Sequence, residues 1–288
     1  MSTRPLSAGA AHEKADDEAA VPRLSAGTCL TADYTVLAHL RRGHDLDVYD
    51  VWSAERGCRC VAKVPRPDRL EHRATRQRLI REGRLLQRLT HPHIVRAYET
   101  LTEPSPIVIL ETLTGATLKQ LITSRERRLP LTAVAYLGLH LCAALHYLHR
   151  QGIVHLDLKP ANIVSDRGLA KVLDLSIARP PGRGSRGIGT PQYMAPEQVR
   201  GGLLSAATDV WGLGLVLFEA ATGRQPFAAA AADATETRYD QLECRVESVR
   251  CHRRVPALFA TAIDRCLDPE PARRPTVDEL STLLNRLV

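Results

Sequence analysis

Apolar and polar positions alternate along the first third of the chain and then change period. Tyr34-Leu40, Val48-Ser53 and Cys60-Val64 are short β-type runs separated by charged or glycine-containing turns, and they predict a small antiparallel sheet. From Leu70 to Leu89, the residues Leu79, Leu85, Leu86 and Leu89 fall at helical spacing among arginines, which predicts an amphipathic helix facing that sheet. Ile94-Tyr98 and Ile107-Leu110 read as two further strands. After Thr117 the helical period dominates. Val134, Leu137, Leu141, Leu145 and Leu148 form one buried stripe between Leu131 and His149, and a later helix opens at an N-cap Thr208 or Asp209 and closes near Gly223. Sheet first and helices after is an α+β order. Met1 to Thr31, rich in Ala, Ser, Asp and Glu, carries too few apolar residues for a core and reads as a flexible leader.

Composition narrows the class. The chain of 288 residues can bury a large core. Its seven cysteines are odd in number and lack paired metal-ligand spacing, which argues for reduced thiols and a cytoplasmic location. The charged start excludes a secretory signal peptide. The uncharged run Leu131 to His149 approaches membrane-spanning length, but its single apolar stripe predicts a core helix, with no membrane as partner. The net charge of +7 is concentrated from Arg56 to Arg88, where eleven Lys or Arg face only Asp68, Glu71 and Glu82. That segment interleaves no aromatic residues for base stacking, so a solvated basic helix is expected and no nucleic acid.

The chemistry is concentrated in His155-Leu156-Asp157-Leu158-Lys159-Pro160-Ala161-Asn162 and in Asp174, twelve residues further on. Asp157 can accept the proton of an incoming hydroxyl, Lys159 can neutralise a moving phosphoryl group, and Asn162 with Asp174 offers two hard oxygen ligands suited to Mg2+. This block resembles the catalytic loop of eukaryotic-like (bacterial-type) Ser/Thr protein kinases, and Lys159-Pro160 fits the Ser/Thr branch. Further motifs follow in the family's order: Val61-Ala62-Lys63, Glu82 on the next helix, Asp174-Leu175-Ser176, Gly189-Thr190-Pro191, Ala195-Pro196-Glu197 and Arg274. The resemblance spans about Tyr34 to Leu287.

It implies a bilobal protein kinase fold, with a small antiparallel-sheet N-lobe carrying one helix (32–110), a hinge (111–116) and a larger, mainly helical C-lobe (117–288). It also implies that ATP and Mg2+ are used and that Ser/Thr hydroxyls of protein substrates are phosphorylated. Residue by residue, Asp157 would be the base and Lys159 would sit on the γ-phosphate, with Thr190 contacting both. Asn162 and Asp174 would hold the metal. Lys63, paired with Glu82, would orient the α and β phosphates. Leu40, Gly43, Val48, Ala62, Glu111, Leu113 and Val164 would surround the rest of the nucleotide. Asp209 would hold the catalytic-loop backbone, and Glu197 would clamp Arg274.

Three departures stand out. Leu156 occupies the place of an Arg that in most relatives grips a phosphate on the activation segment, so activation without that phosphate is expected. Of three glycines expected at positions 41, 43 and 46, only Gly43 is present; Asp45 and Asp47 add negative charge there, and Arg41 and Arg42 are candidate phosphate contacts in compensation. Ser176 replaces a Gly, and Gly83 weakens the Glu82 helix, which suggests a mobile helix. The altered glycine loop and Ser176 keep a second function open, a pseudokinase acting as a nucleotide-binding or scaffolding module. A small-molecule kinase shares the Asp157 and Asn162 pattern, but Lys159 and Ala195-Pro196-Glu197 argue against it.

Overall fold

A computed structural model of the chain describes residues 21–124, 128–227 and 239–288. Two compact units divide it: one runs to Gln87 and resumes from Ala97 to Thr112, and the other holds Arg88–Arg96 and Leu113–Val288.

The first unit is built on strands β1 (Tyr34–Arg42), β2 (Leu46–Ser53), β3 (Cys58–Pro65), β4 (Ala97–Leu101) and β5 (Ile107–Glu111), in the antiparallel order β1-β2-β3-β5-β4. Alternation along these strands sends Tyr34, Val36, Tyr49, Val51, Cys60, Ala62, Val64, Ile107 and Ile109 into one apolar core. Helix α1 (Arg73–Arg88) buries Thr75, Leu79, Glu82, Gly83 and Leu86 and exposes arginines.

Two sequence expectations change here. Of the expected leader Met1 to Thr31, residues 1–20 lie outside the described residues, but Val21–Thr31 is held against the sheet. Leu24 N–H donates to Tyr49 Oη at 3.0 Å, Gly27 N–H to the Val36 carbonyl at 2.8 Å, and Arg42 Nη1 to the Val21 carbonyl at 2.8 Å. Backbone pairing, which composition cannot reveal, orders this stretch. The expected strand Ile94-Tyr98 is displaced to Ala97–Leu101, because Ile94 and Val95 belong to the second unit: Val95 N–H donates to the Val172 carbonyl at 2.9 Å and Val172 N–H to the His93 carbonyl at 3.0 Å.

The second unit opens with β6 (Ala116–Thr117) and α2 (Leu118–Thr123), followed by α3 (Leu131–Arg150), β7 (Ile163–Asp166), β8 (Leu169–Val172), β9 (Gly182–Arg183), α4 (Pro196–Arg200), β10 (Leu203–Leu204), α5 (Ala206–Thr222), α6 (Ala257–Cys266) and α7 (Val277–Asn285). Of the expected α3 stripe, Val134, Leu141, Leu145 and Leu148 are buried and Leu137 is half-buried. α3 is long and apolar enough to cross a membrane by length and composition; in this fold it packs on α5, α7 and β8. Helix α5 is buried along almost its whole length. Its N-cap is Ser205 rather than Thr208 or Asp209. Ser205 Oγ accepts from Ala207 N–H at 3.3 Å, and Thr208 Oγ1 returns the cap by accepting from Ser205 N–H at 3.1 Å. Asp209 is thereby one turn inside the helix, with its carboxylate free for other backbone.

Candidate active site

Helix α5 positions the catalytic loop. Asp209, 1% exposed, accepts from His155 N–H at 2.9 Å and Leu156 N–H at 2.8 Å, and from His149 Nε2 at 2.7 Å. Charge-assisted bonds of this kind hold the loop in a conformation it would not choose alone, since Leu156 sits at φ +68°, the left-handed region. Two further contacts complete the restraint: the Leu156 carbonyl accepts from Gln198 Nε2 at 2.8 Å, and its side chain packs with Val154, Leu204 and Ile177. Leu156 is thus an apolar anchor where an Arg was the family's expectation.

The loop then delivers Asp157, Lys159 and Asn162 together. Lys159 Nζ donates to Asp157 Oδ2 at 2.6 Å and to Thr190 Oγ1 at 2.5 Å; Thr190 Oγ1 in turn donates to Asp157 Oδ1 at 2.6 Å. Asn162 Nδ2 donates to the Asp157 carbonyl and to its Oδ2, each at 3.1 Å, which turns the amide oxygen away from that carboxylate. Leu173 N–H donates to the Asn162 carbonyl at 2.9 Å, so Asp174 follows directly on a backbone pinned to Asn162. Asp174 Oδ1 accepts from Ser176 N–H at 2.9 Å, while Leu175 is buried. Among the described residues no group of three or more His, Cys, Asp or Glu could cage a metal. An amide oxygen and one carboxylate suit Mg2+, which keeps several waters and takes its remaining ligands from phosphates.

The segment from Asp174 to Glu197 is fixed by backbone pairing. Val154 N–H donates to the Arg179 carbonyl at 2.8 Å with the reciprocal bond at 3.1 Å, β9 pairs with β10, and Gln198 Nε2 donates to the Ile188 carbonyl at 2.9 Å. Glu197 and Arg274 form a bidentate pair at 2.7 and 2.9 Å, with the guanidinium 5.0 Å over the Trp211 ring.

In the first unit, Lys63 Nζ donates to Glu82 Oε1 at 2.6 Å, with both residues buried. Val48 is Lys63's cross-strand partner and shares its face. Ala62 does not. Strand alternation turns it into the apolar core with Val36 and Tyr49, fully buried, and puts Val61 on the Lys63 face instead. Leu40 is 54% exposed beside a register shift between His39 and Arg41. Glu111 ends β5 opposite Cys60, and Leu113, half-buried, opens the second unit, where Val164 is buried beside Thr117.

The β1–β2 turn answers the question of its charges. Asp47 is fully buried and neutralised by Arg42, whose Nε and Nη2 donate at 2.9 and 2.8 Å, with His39 Nε2 3.1 Å away. Burial alone would raise the Asp47 carboxyl; these two partners outweigh it and hold it below its ordinary value. Arg42 is therefore committed to Asp47 and Val21 and is no phosphate contact in this arrangement, and Asp47 presents no free charge. Gly43 N–H is also spent, donating to the Leu46 carbonyl at 2.8 Å.

Two polar groups near this site escaped the sequence reading. Gln198, 2% exposed, joins the Leu156 carbonyl to the Ile188 carbonyl. Tyr193 Oη donates to Glu219 Oε2 at 2.6 Å, and burial pushes the ionisations of both upward. A glutamate inside the otherwise apolar run Val210–Ala221 of α5 was the available signal for the second pair.

The chain matches the protein kinase domain model over residues 34–283. It is 36% identical over 214 residues to the DNA damage-responsive serine/threonine-protein kinase RqkA of Deinococcus radiodurans, covering 71% of this chain and 32% of that protein. A probable serine/threonine-protein kinase of Streptomyces coelicolor is 31% identical over 254 residues, covering 84% and 38%. The chain thus spans about a third of the length of these curated relatives. The fold is that of the Mycobacterium tuberculosis PknI kinase domain, with a TM-score of 0.72 at 23% identity over 92% of this chain and 99% of that one. The chain belongs to the protein kinase domain family, as a catalytic domain of the bacterial Ser/Thr type.

Proposed function

We propose that this chain transfers the γ-phosphoryl group of MgATP to Ser/Thr hydroxyls of protein substrates. The observation that carries this reading is the Thr190 hydroxyl, which donates to Asp157 Oδ1 at 2.6 Å while the Lys159 ammonium lies 2.5 Å away. A substrate hydroxyl in that environment has an acceptor for its proton and a cation beside the oxygen that must attack. Asp157 takes the proton as the oxygen–phosphorus bond forms and the bond to the departing diphosphate breaks; Lys159 offsets the charge on the transferring group. Asn162 and Asp174 would hold Mg2+, which neutralises phosphate charge when bound. In the first unit Lys63, kept extended by Glu82, would orient the α and β phosphates, with Val48 and the Glu111 backbone as further nucleotide contacts; in the second unit Leu113 and Val164 would be the nucleotide contacts. Leu156 favours turnover independent of activation-segment phosphorylation, because packing and backbone pairing already order the segment.

The closed β1–β2 turn favours a second reading, a nucleotide-binding module without turnover, since the Gly43 amide is engaged and Arg41 and Leu46 replace glycines. Turnover separates the two. Labelled phosphate from ATP is expected on a basic protein substrate or on the chain itself, and Lys63→Met is expected to abolish it; label that persists in Lys63→Met would refute the assignment.

A further inference from the structure

A single buried amide joins the two loops that meet at the Asp157 carboxylate. Gln198 is 2% exposed; its Nε2 donates to the Leu156 carbonyl at 2.8 Å and to the Ile188 carbonyl at 2.9 Å, and its Oε1 accepts from Ala195 N–H at 3.0 Å. Carbonyls only accept and a backbone N–H only donates, so these three partners fix which way the amide faces and occupy both of its N–H groups. One of the bonds caps α4, and the other two reach outside the helix.

Both targets lie next to reacting groups. The Leu156 carbonyl belongs to the peptide unit that enters Asp157, and the N–H of that same unit donates to His155 Nδ1 at 3.1 Å, so the unit is held at both ends. The Ile188 carbonyl belongs to the unit that enters Gly189, one residue before Thr190. Thr190 then closes the ring: its N–H donates to Asp157 Oδ1 at 3.1 Å and its hydroxyl donates to the same oxygen at 2.6 Å. Gly189 allows the close approach. It sits at φ +127°, and a Cβ there would come within 3.1 Å of Gln198 Nε2 and 3.2 Å of the Leu156 carbonyl oxygen. All of these residues belong to the second unit.

We propose that Gln198 is a positioning residue that sets the acceptor-hydroxyl site, marked by Thr190, against the Asp157 base; its bearing on turnover rests on the proposed phosphoryl transfer. Gln198→Glu isolates this role from capping. A glutamate keeps the acceptor for Ala195 N–H and is itself a favoured capping residue there, but it turns lone pairs toward both carbonyls. Gln198→Met keeps the length and removes all three bonds. Hydrogen exchange followed by mass spectrometry reads the geometry without turnover: in both variants the amides of residues 188–190 are expected to exchange about tenfold faster, with α3 and α5 unchanged. In steady-state label transfer both are expected to lower kcat about 10–100-fold and to keep KM for ATP within about twofold, since the phosphate grip of Lys63 and Glu82 belongs to the first unit. Gln198→Glu with the protection and kcat of the unsubstituted chain overturns the proposal and leaves the amide a helix cap. Exchange that quickens equally in α3 and α5 also overturns it, as does a raised KM at unchanged kcat. Absence of label with the unsubstituted chain would instead contradict phosphoryl transfer, and the exchange of residues 188–190 would still decide the role of Gln198.

Discussion

Leu156 carries the largest residue-scale consequence. Its left-handed backbone costs on the order of 1 kcal/mol, met by two amide bonds to Asp209 and by burial against Val154, Leu204 and Ile177. An Arg there would have to leave this cluster, and a phosphate on the segment would have no guanidinium waiting at this position. Phosphatase-treated protein is therefore expected to keep its turnover, whereas Leu156→Ala loses about 2–5 kcal/mol in urea unfolding; turnover abolished by phosphatase with the fold intact contradicts this reading. The catalytic loop was legible because Asp157, Lys159 and Asn162 lie within six residues. Val61 was not, because Ala62 and Val61 are equally apolar and only the pleat decides which of them shares the face of Lys63.

At the scale of the element, Gly83 reverses its first reading. Helix propensity alone makes it a weak point, and replacement by Ala would gain up to about 1 kcal/mol. In the folded chain a Cβ there would collide with the Thr100 hydroxyl and approach Val108 Cγ2 to 2.6 Å, so the glycine lets α1 close on β4 and β5 and bring Glu82 to Lys63. Gly83→Ala is expected to destabilise by about 1–3 kcal/mol through overpacking, read as a lower urea midpoint at unchanged slope. A rise in midpoint would restore the mobile-helix picture. Helix existence and period were readable along the chain; ends were less so. The pattern predicts an N-cap at Thr208 or Asp209, but the cap is Ser205, three residues before Thr208, because the Ser205-Thr208 box satisfies its partners reciprocally. Likewise the stretch Val21–Thr31 is ordered by hydrogen bonds of its backbone and by Leu24 and Leu30 packed against the apolar core of the sheet.

Across the whole molecule, the proposed phosphate grip, Lys63 with Glu82, falls in one unit and the proton acceptor and metal ligands in the other. The second unit also carries a histidine cluster. His91, His93 and His140 are linked ring to ring, with centroids 5.6 and 4.2 Å apart, and His93 Nδ1 bonds the Ala170 carbonyl. Burial first, then the neighbouring rings or Lys171, lowers all three below the usual histidine value. The unfolded chain therefore binds protons before the folded one. Stability is fully present above about pH 6.5 and is lost as pH falls toward the depressed folded values. Urea midpoints should fall between pH 7.5 and 5.5, and His93→Asn with His140→Asn should flatten the fall; an unchanged slope would remove the cluster from the account.

The most direct measurement of phosphoryl transfer is single-turnover label transfer from ATP to a basic protein substrate by the unsubstituted chain and by Asp157→Asn, with unfolding followed in parallel. The account predicts a rate lower by about 10²–10⁴-fold in Asp157→Asn at a closely similar urea midpoint. Equal rates in the two proteins would contradict it.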